Sequence, residues 1–156
     1  MAQRILGLDL GAHAVKAVLV ESTFRGYVVA GTARAPVAAP EGDASPARWT
    51  AAVKALLAGS GLSFDAAVVA LPGASASALG VTLPFADPRR IEQTIGFEVE
   101  GQIPFDLADV AWDWQPLSVR DGKTDLLVSV VRRDEAAALL AALAEAGVDP
   151  RTVLPA

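Results

Sequence analysis

The sequence predicts a mixed α/β protein, and three patterns predict it. Short apolar, β-branched stretches joined by tight turns fill the chain up to Arg34. The pairs Ser45-Pro46 and Asp87-Pro88 each open a run whose apolar residues recur three and four apart. Val110, Trp112 and Trp114 alternate with Ala111, Asp113 and Gln115, the period of a half-buried strand.

Composition narrows the function classes. The 156 residues are 53% hydrophobic and 20% charged, which excludes intrinsic disorder. Alanine supplies 32 of them, so few large side chains build the core. Lys and Arg total 13 against 18 Asp and Glu, a net charge of −5 with no basic block. Binding to nucleic acid without sequence preference needs clustered cations, so a nucleic-acid partner is excluded. The absence of cysteine excludes disulfides, thiolate zinc sites and thiol nucleophiles. The lone histidine, His13, lies between Ala12 and Ala14, which offer it neither a co-ligand nor a triad partner. The N-terminal apolar run is short and ends at Asp9, unlike a signal peptide. Ala66 to Ala86 carries no charge and is long enough to tempt a membrane reading, but Pro72, Gly73, Gly80 and Pro84 break it into strand, turn and strand. The chain is expected to be soluble.

The elements follow in order. Gln3–Asp9, Val15–Glu21 and Tyr27–Arg34 read as an antiparallel meander, and Ala35–Ala44 as a loop. Ser45 is expected to cap a helix that starts at Pro46. That helix places Trp49, Val53, Leu56 and Leu57 inward and ends at Gly59 or Gly61. Ala66–Leu71 is a buried strand, reached by a parallel crossover. Asp87 caps a second helix to about Gly101, with Ile91, Ile95, Val99 and Gln102 on one face and Gly96 weakening it. Asp121-Gly122 suits a tight hairpin turn before the strand Leu126–Val131. Asp134 caps a third helix with Ala136, Leu139, Leu140 and Leu143 inward and Gly147 past its end. Val153-Leu154 begins another strand, which suggests the front portion of a longer protein.

Chemistry concentrates in Asp9-Leu10-Gly11-Ala12-His13-Ala14-Val15-Lys16. A glycine in the turn lets backbone N–H groups approach an anion, a lysine on the returning strand reaches phosphate oxygens, and the aspartate suits a hydrated Mg²⁺. The same residues also describe a plain hairpin with an acidic turn. Glu98, Glu100 and Gln102 close the second helix, Glu98 and Gln102 one turn apart. Without a nucleophile beside them, they read as a solvated acidic face above an apolar anchor. Phe105 and the Trp112/Trp114 face read as core, with a partner groove as the alternative. Arg89-Arg90 and Arg132-Arg133 are solvated pairs, or an acceptor for an acidic partner surface.

The stretch Ile5 to Glu21 resembles the first phosphate loop of the actin/Hsp70/sugar-kinase superfamily. Leu83-Pro84-Phe85 through Ile91, then Phe97-Glu98-Val99-Glu100-Gly101-Gln102-Ile103-Pro104-Phe105, then Asp109 to Gln115, resemble the PilM/GspL family. These are actin-like cytoplasmic components of type IV pilus and type II secretion machines. With Val68 to Gly73 between the two motifs, the resemblance covers nearly the whole chain.

It implies an actin-like, ribonuclease-H-like half-domain of α/β class with an inserted small α+β subdomain. Residues 1–73 would be the first part of the actin-like domain and 74–131 the insert. Residues 132–156 would be a helix returning to the main domain and the start of a second one. Asp9, Gly11 and Lys16 would be half of a nucleotide site. The family often has Ser or Thr where Ala12, His13 and Ala14 stand, and secretion-type members commonly have a degraded loop. ATP and Mg²⁺ would belong to the full-length protein, with no cofactor, no metal and no catalytic residue in this chain. The implied function is a scaffold of an inner-membrane platform at the cytoplasmic face of the membrane. The secretion type (GspL-like) is placed first, from the Asp113-Trp114-Gln115 to Asp121-Gly122-Lys123 hairpin. The pilus type, which binds a membrane partner's N-terminal peptide, is the alternative, and an actin-like ATPase or sugar-kinase-like phosphotransferase the second alternative. Implied partners are the N-terminal domain of a secretion or pilus assembly ATPase, inner-membrane platform proteins and a second copy. Candidate partner-binding residues are Arg89, Arg90, Glu98, Glu100, Gln102, Trp112 and Trp114.

Overall fold

The computed structural model describes residues 3–38 and 45–155. They form two compact units, Met1–Gly73 with Ala137–Ala156, and Ala74–Ala136. Most of the expected loop before residue 45 lies outside the described residues.

The first unit is built on a five-stranded sheet. Strands β1 (Arg4–Leu10), β2 (Ala14–Thr23) and β3 (Gly26–Pro36) form the antiparallel meander. Ala35 and Pro36, expected in the loop, extend β3, because β2 still offers Val15 and Ala14 as partners. Helix α1 (Ala47–Ser60) crosses to β4 (Ala66–Leu71), which lies parallel to β1. Strand β8 (Pro150–Pro155) adds parallel to β4, giving the order β3-β2-β1-β4-β8.

Period-two burial explains the packing. Leu6, Leu8 and Leu10 of β1, Val15 and Leu19 of β2 and Val69 of β4 are all but fully buried on one face. Each such side chain contributes roughly 1.5–3 kcal/mol relative to exposure. Helices α1 and α3 (Arg133–Glu145) supply the apposed layer through Trp49, Val53, Leu56, Leu139 and Leu143. Thr50 Oγ1 donates to the Ala142 carbonyl at 3.1 Å, tying the two helices together.

Helices α1 and α3 differ from expectation in three places. Pro46 holds the N-cap position of α1 and makes no side-chain cap bond; Ser45 instead offers its carbonyl to the Arg48 N–H at 3.2 Å. Asp134 lies inside the first turn of α3, and its carboxylate holds the Arg132 guanidinium. Leu140 is exposed and Ala136 half-buried, because the buried stripe of α3 runs through Leu139, Ala142 and Leu143. The end of α1 is as expected: Gly61 closes it at φ +63°, a conformation that side chains disfavour.

The second unit has strands β5 (Ser77–Leu83), β6 (Val110–Arg120) and β7 (Lys123–Arg132), in the order β5-β7-β6, all antiparallel. Asp121 at φ +50° and Gly122 at φ +71° form the β6–β7 turn, as both central residues of such a hairpin require. Helix α2 (Pro88–Glu100) packs Ile91, Ile95 and Val99 against Val81, Leu83, Leu126, Val128 and Val130. Asp87 caps it by accepting the Arg89 N–H at 2.8 Å and the Arg90 N–H at 3.4 Å. Thr124, buried among apolar residues, donates its hydroxyl to the Phe85 carbonyl at 2.9 Å.

Candidate functional site

In the first unit, the β1–β2 register sets Asp9 directly opposite Lys16. Lys16 Nζ lies 3.0 Å from Asp9 Oδ2, with both side chains well exposed. Gly11 occupies the turn between them. Its N–H donates to the Ala14 carbonyl at 3.1 Å, and its carbonyl accepts the Trp49 indole N–H at 3.0 Å. A Cβ at Gly11 would lie 2.8 Å from the Ala14 carbonyl oxygen, so glycine here permits close backbone approach. His13 is exposed, and its carbonyl accepts the Val37 N–H at 3.0 Å.

The structure therefore brings Asp9, Gly11 and Lys16 together. Their polar groups are already matched: ammonium to carboxylate, and the Gly11 amide inward to the loop. Among the described residues no group of three or more His, Cys, Asp or Glu could hold a metal ion.

In the second unit the expected acidic face changes at its end. Glu98 and Glu100 are exposed on α2, but the helix stops at Glu100 and Gln102 leaves it in a turn, donating its N–H to the Val99 carbonyl at 3.0 Å. Glu98 and Gln102 thus do not sit on one continuous helical face. Trp112 and Trp114 are half-buried and pack on the core from its margin. Phe105, expected in the core, is 42% exposed, with the Arg132 guanidinium 5.4 Å from its ring centroid. The arginine pairs are held locally. Arg90 lies 4.4 Å over the Phe85 ring, Arg132 is paired with Asp134, and Arg133 donates to the Ala108 carbonyl at 2.8 Å. Arg89 is exposed at the start of α2.

Around the exit of α2 lies a groove of about 240 Å³. Leu79, Ile103, Val110 and Val130 make its walls apolar, while Ser75, Ser77, Gln102, Arg132 and Glu135 supply polar groups. The sequence reading missed it, although it had singled out Gln102 and Phe105. The lining comes from three stretches far apart in the chain, which periodicity cannot join. Arg132 is held protonated by Asp134, and Asp134 is pushed below the usual carboxylate range by hydrogen bonding to Arg132.

A mixed sheet ordered β3-β2-β1-β4-β8, with an α+β unit inserted after β4, defines the actin-like class of folds. The profile of the family described as type IV pilus assembly protein PilM matches residues 7–154, and the chain belongs to that family. It is similar to a protein of the "PilM-PilN type IV pilus biogenesis complex", with 28% identity and a TM-score of 0.80 over 97% of this chain and 47% of that one. It shares its fold with the cytoplasmic domain of EpsL, an inner-membrane component of the type II secretion system of Vibrio cholerae. There the identity is 21% and the TM-score 0.61, over 97% of this chain and 57% of that one. No curated protein sequence matches the chain. The chain spans about half the length of these structures. Among the described residues no helix is long and apolar enough to cross a membrane.

Proposed function

We propose that the chain is part of a cytoplasmic scaffold of a type IV pilus inner-membrane platform, and that its second unit receives an extended peptide from a membrane partner. The groove at the exit of α2 carries this reading. It pairs apolar walls with serine, glutamine and arginine groups, the chemistry that takes alternate side chains of a peptide and hydrogen-bonds its backbone. The likeness to a PilM found in complex with PilN supports it. The secretion-type reading, with an assembly-ATPase N-terminal domain as partner, rests on the likeness to EpsL, which is 21% identical.

The role is binding rather than turnover. Asp9, Gly11 and Lys16 are half of a nucleotide site with its charges internally paired. This chain alone binds Mg-ATP weakly or not at all and does not hydrolyse it; micromolar binding by calorimetric titration would overturn that statement. Fluorescence anisotropy tests the partner. A labelled N-terminal cytoplasmic peptide of a PilN-like protein binds the chain, and Ile103→Glu abolishes binding. Binding of an assembly-ATPase N-terminal domain without binding of the peptide would replace this reading with the secretion type. Binding of neither would overturn it.

A further inference from the structure

The groove at the exit of α2 carries an unmatched charge. Among the described residues that line it, Arg132 is the only cation, and Asp134 already holds it. The ion pair is two-pronged, with Arg132 Nε 3.0 Å from Asp134 Oδ1 and a second guanidinium nitrogen on Oδ2. Asp134 Oδ1 also accepts the Glu135 N–H at 2.9 Å. Glu135 lines the same groove, but its carboxylate makes no hydrogen bond or ion pair with any described residue.

The charges nearby do not cancel it. Asp134 foremost, then Glu135 and Asp109, act on the Arg132 guanidinium and keep it charged. Arg133 turns to the Ala108 carbonyl at 2.8 Å. Three carboxylates against two guanidiniums leave the mouth of the groove one charge negative. Glu135 stands in the first turn of α3, where a carboxylate favours the helix by itself. That does not account for its setting, because Leu79, Ile103, Val110 and Val130 wall the groove beside it. A lone carboxylate next to an apolar slot matches a ligand with a cation next to an aliphatic group.

Size narrows the ligand further. A volume of about 240 Å³ is below the roughly 300–1,000 Å³ of a small-molecule pocket, so it takes one or two side chains of a longer ligand. The negative mouth disfavours phosphates and acidic segments. The cytoplasmic flanks of membrane proteins carry the opposite charge, an excess of Lys and Arg.

Resting on the reading that this groove receives a peptide, we propose that Glu135 selects peptides in which a cationic group adjoins an aliphatic side chain. The aliphatic side chain fills the slot between Ile103 and Val130, and the cation meets the Glu135 carboxylate at its mouth. The cation is a Lys or Arg side chain, or the peptide's own α-amino group.

Fluorescence anisotropy tests this with the N-terminal cytoplasmic peptide of a PilN-like protein, labelled at its C-terminus. Three versions are compared: unchanged, with Lys and Arg replaced by norleucine, and with the amino group acetylated. The change that removes the contacting cation is expected to weaken binding about three- to fivefold, the range of an exposed ion pair. Glu135→Gln weakens the unchanged peptide by the same factor and does not weaken further the peptide that has lost its cation. Glu135→Lys sets like charges together and weakens the unchanged peptide at least about tenfold. Glu135 is exposed, so neither substitution disturbs packing. Glu145→Gln removes the same charge from the far end of α3 and leaves all three affinities unchanged. If Glu135→Gln binds the unchanged peptide as tightly as the parent does, or weakens all three versions alike, the groove reading stands and the role of Glu135 is overturned. If the parent binds no version, the groove reading fails and this inference with it.

Discussion

The indole N–H of Trp49 donates to the carbonyl of Gly11 at 3.0 Å, pinning the candidate phosphate loop to the first turn of α1. Trp49 is buried, so its ring and its polar edge act together. Trp49→Phe keeps most of the apolar volume and removes the donor. The expected loss is about 1–2 kcal/mol of unfolding free energy, for one hydrogen bond and a partly buried carbonyl left without its donor. Urea titration followed by circular dichroism reads it. A variant as stable as the parent would show that the bond does not hold the loop.

Gly11 makes a sharper case, because its neighbour is backbone. A methyl group there would lie 2.8 Å from the Ala14 oxygen, and that oxygen also receives the Gly11 N–H at 3.1 Å. Relief requires the turn to open and lose that bond. Gly11→Ala is expected to destabilise by roughly 1–3 kcal/mol. It also shifts Lys16 relative to Asp9, since both flank the turn. A lowered thermal midpoint, with altered amide resonances confined to β1 and β2, is the expected signature.

Gly96 gives the opposite sign. It lies within α2, and a methyl there would meet the Trp112 ring at 3.7 Å, an ordinary contact. Nothing in the geometry demands glycine, so Gly96→Ala gains helix propensity and a contact without strain. The expected gain is about 0.5–1 kcal/mol. A fall in the denaturation midpoint would mean that the Trp112 ring cannot accept the methyl group.

Local pattern made most of the element order legible. The Ala66–Leu71 strand, the Asp87-Pro88 helix start and the Asp121-Gly122 turn were readable because each is fixed by a few adjacent residues. The gathering of Asp9, Gly11 and Lys16 around one turn was readable for the same reason, but not the ion pair: Lys16 read as reaching phosphate oxygens, and its ammonium lies on Asp9 instead. What escaped depends on where elements stop and on what lies far off in the chain. Gln102 continues the spacing of α2 but falls beyond its last turn. Leu140 looks as apolar as Leu139, yet the packing of α3 uses only one of them. Phe105 is aromatic, but it partners an arginine rather than the core. The groove joins the stretch after β4 with the exit of α2 and the end of β7, and no spacing rule links those.

Asp125 gives the second unit a pH dependence. Its carboxylate accepts the Ser118 hydroxyl at 2.7 Å and the Thr82 hydroxyl at 2.8 Å, joining all three strands of the sheet. These bonds, Ser118 first, favour the charged form and hold the group below its ordinary value of 3.8, with Arg120 adding a smaller pull in the same direction. The sign follows from linkage. A carboxyl whose folded pKa lies below its unfolded one stabilises the fold fully above the unfolded value. That stabilisation is lost as pH falls through the folded value. Asp125→Asn keeps the shape and removes the charge. The gap in thermal midpoint between parent and variant is expected to be widest near neutral pH and to close below the carboxylate range. Asp134, which Arg132 holds low in the same way, is present in both proteins and drops out of the difference. A gap that stays constant from neutral to acid pH would show that the Ser118 and Thr82 bonds do not depend on the charge of Asp125.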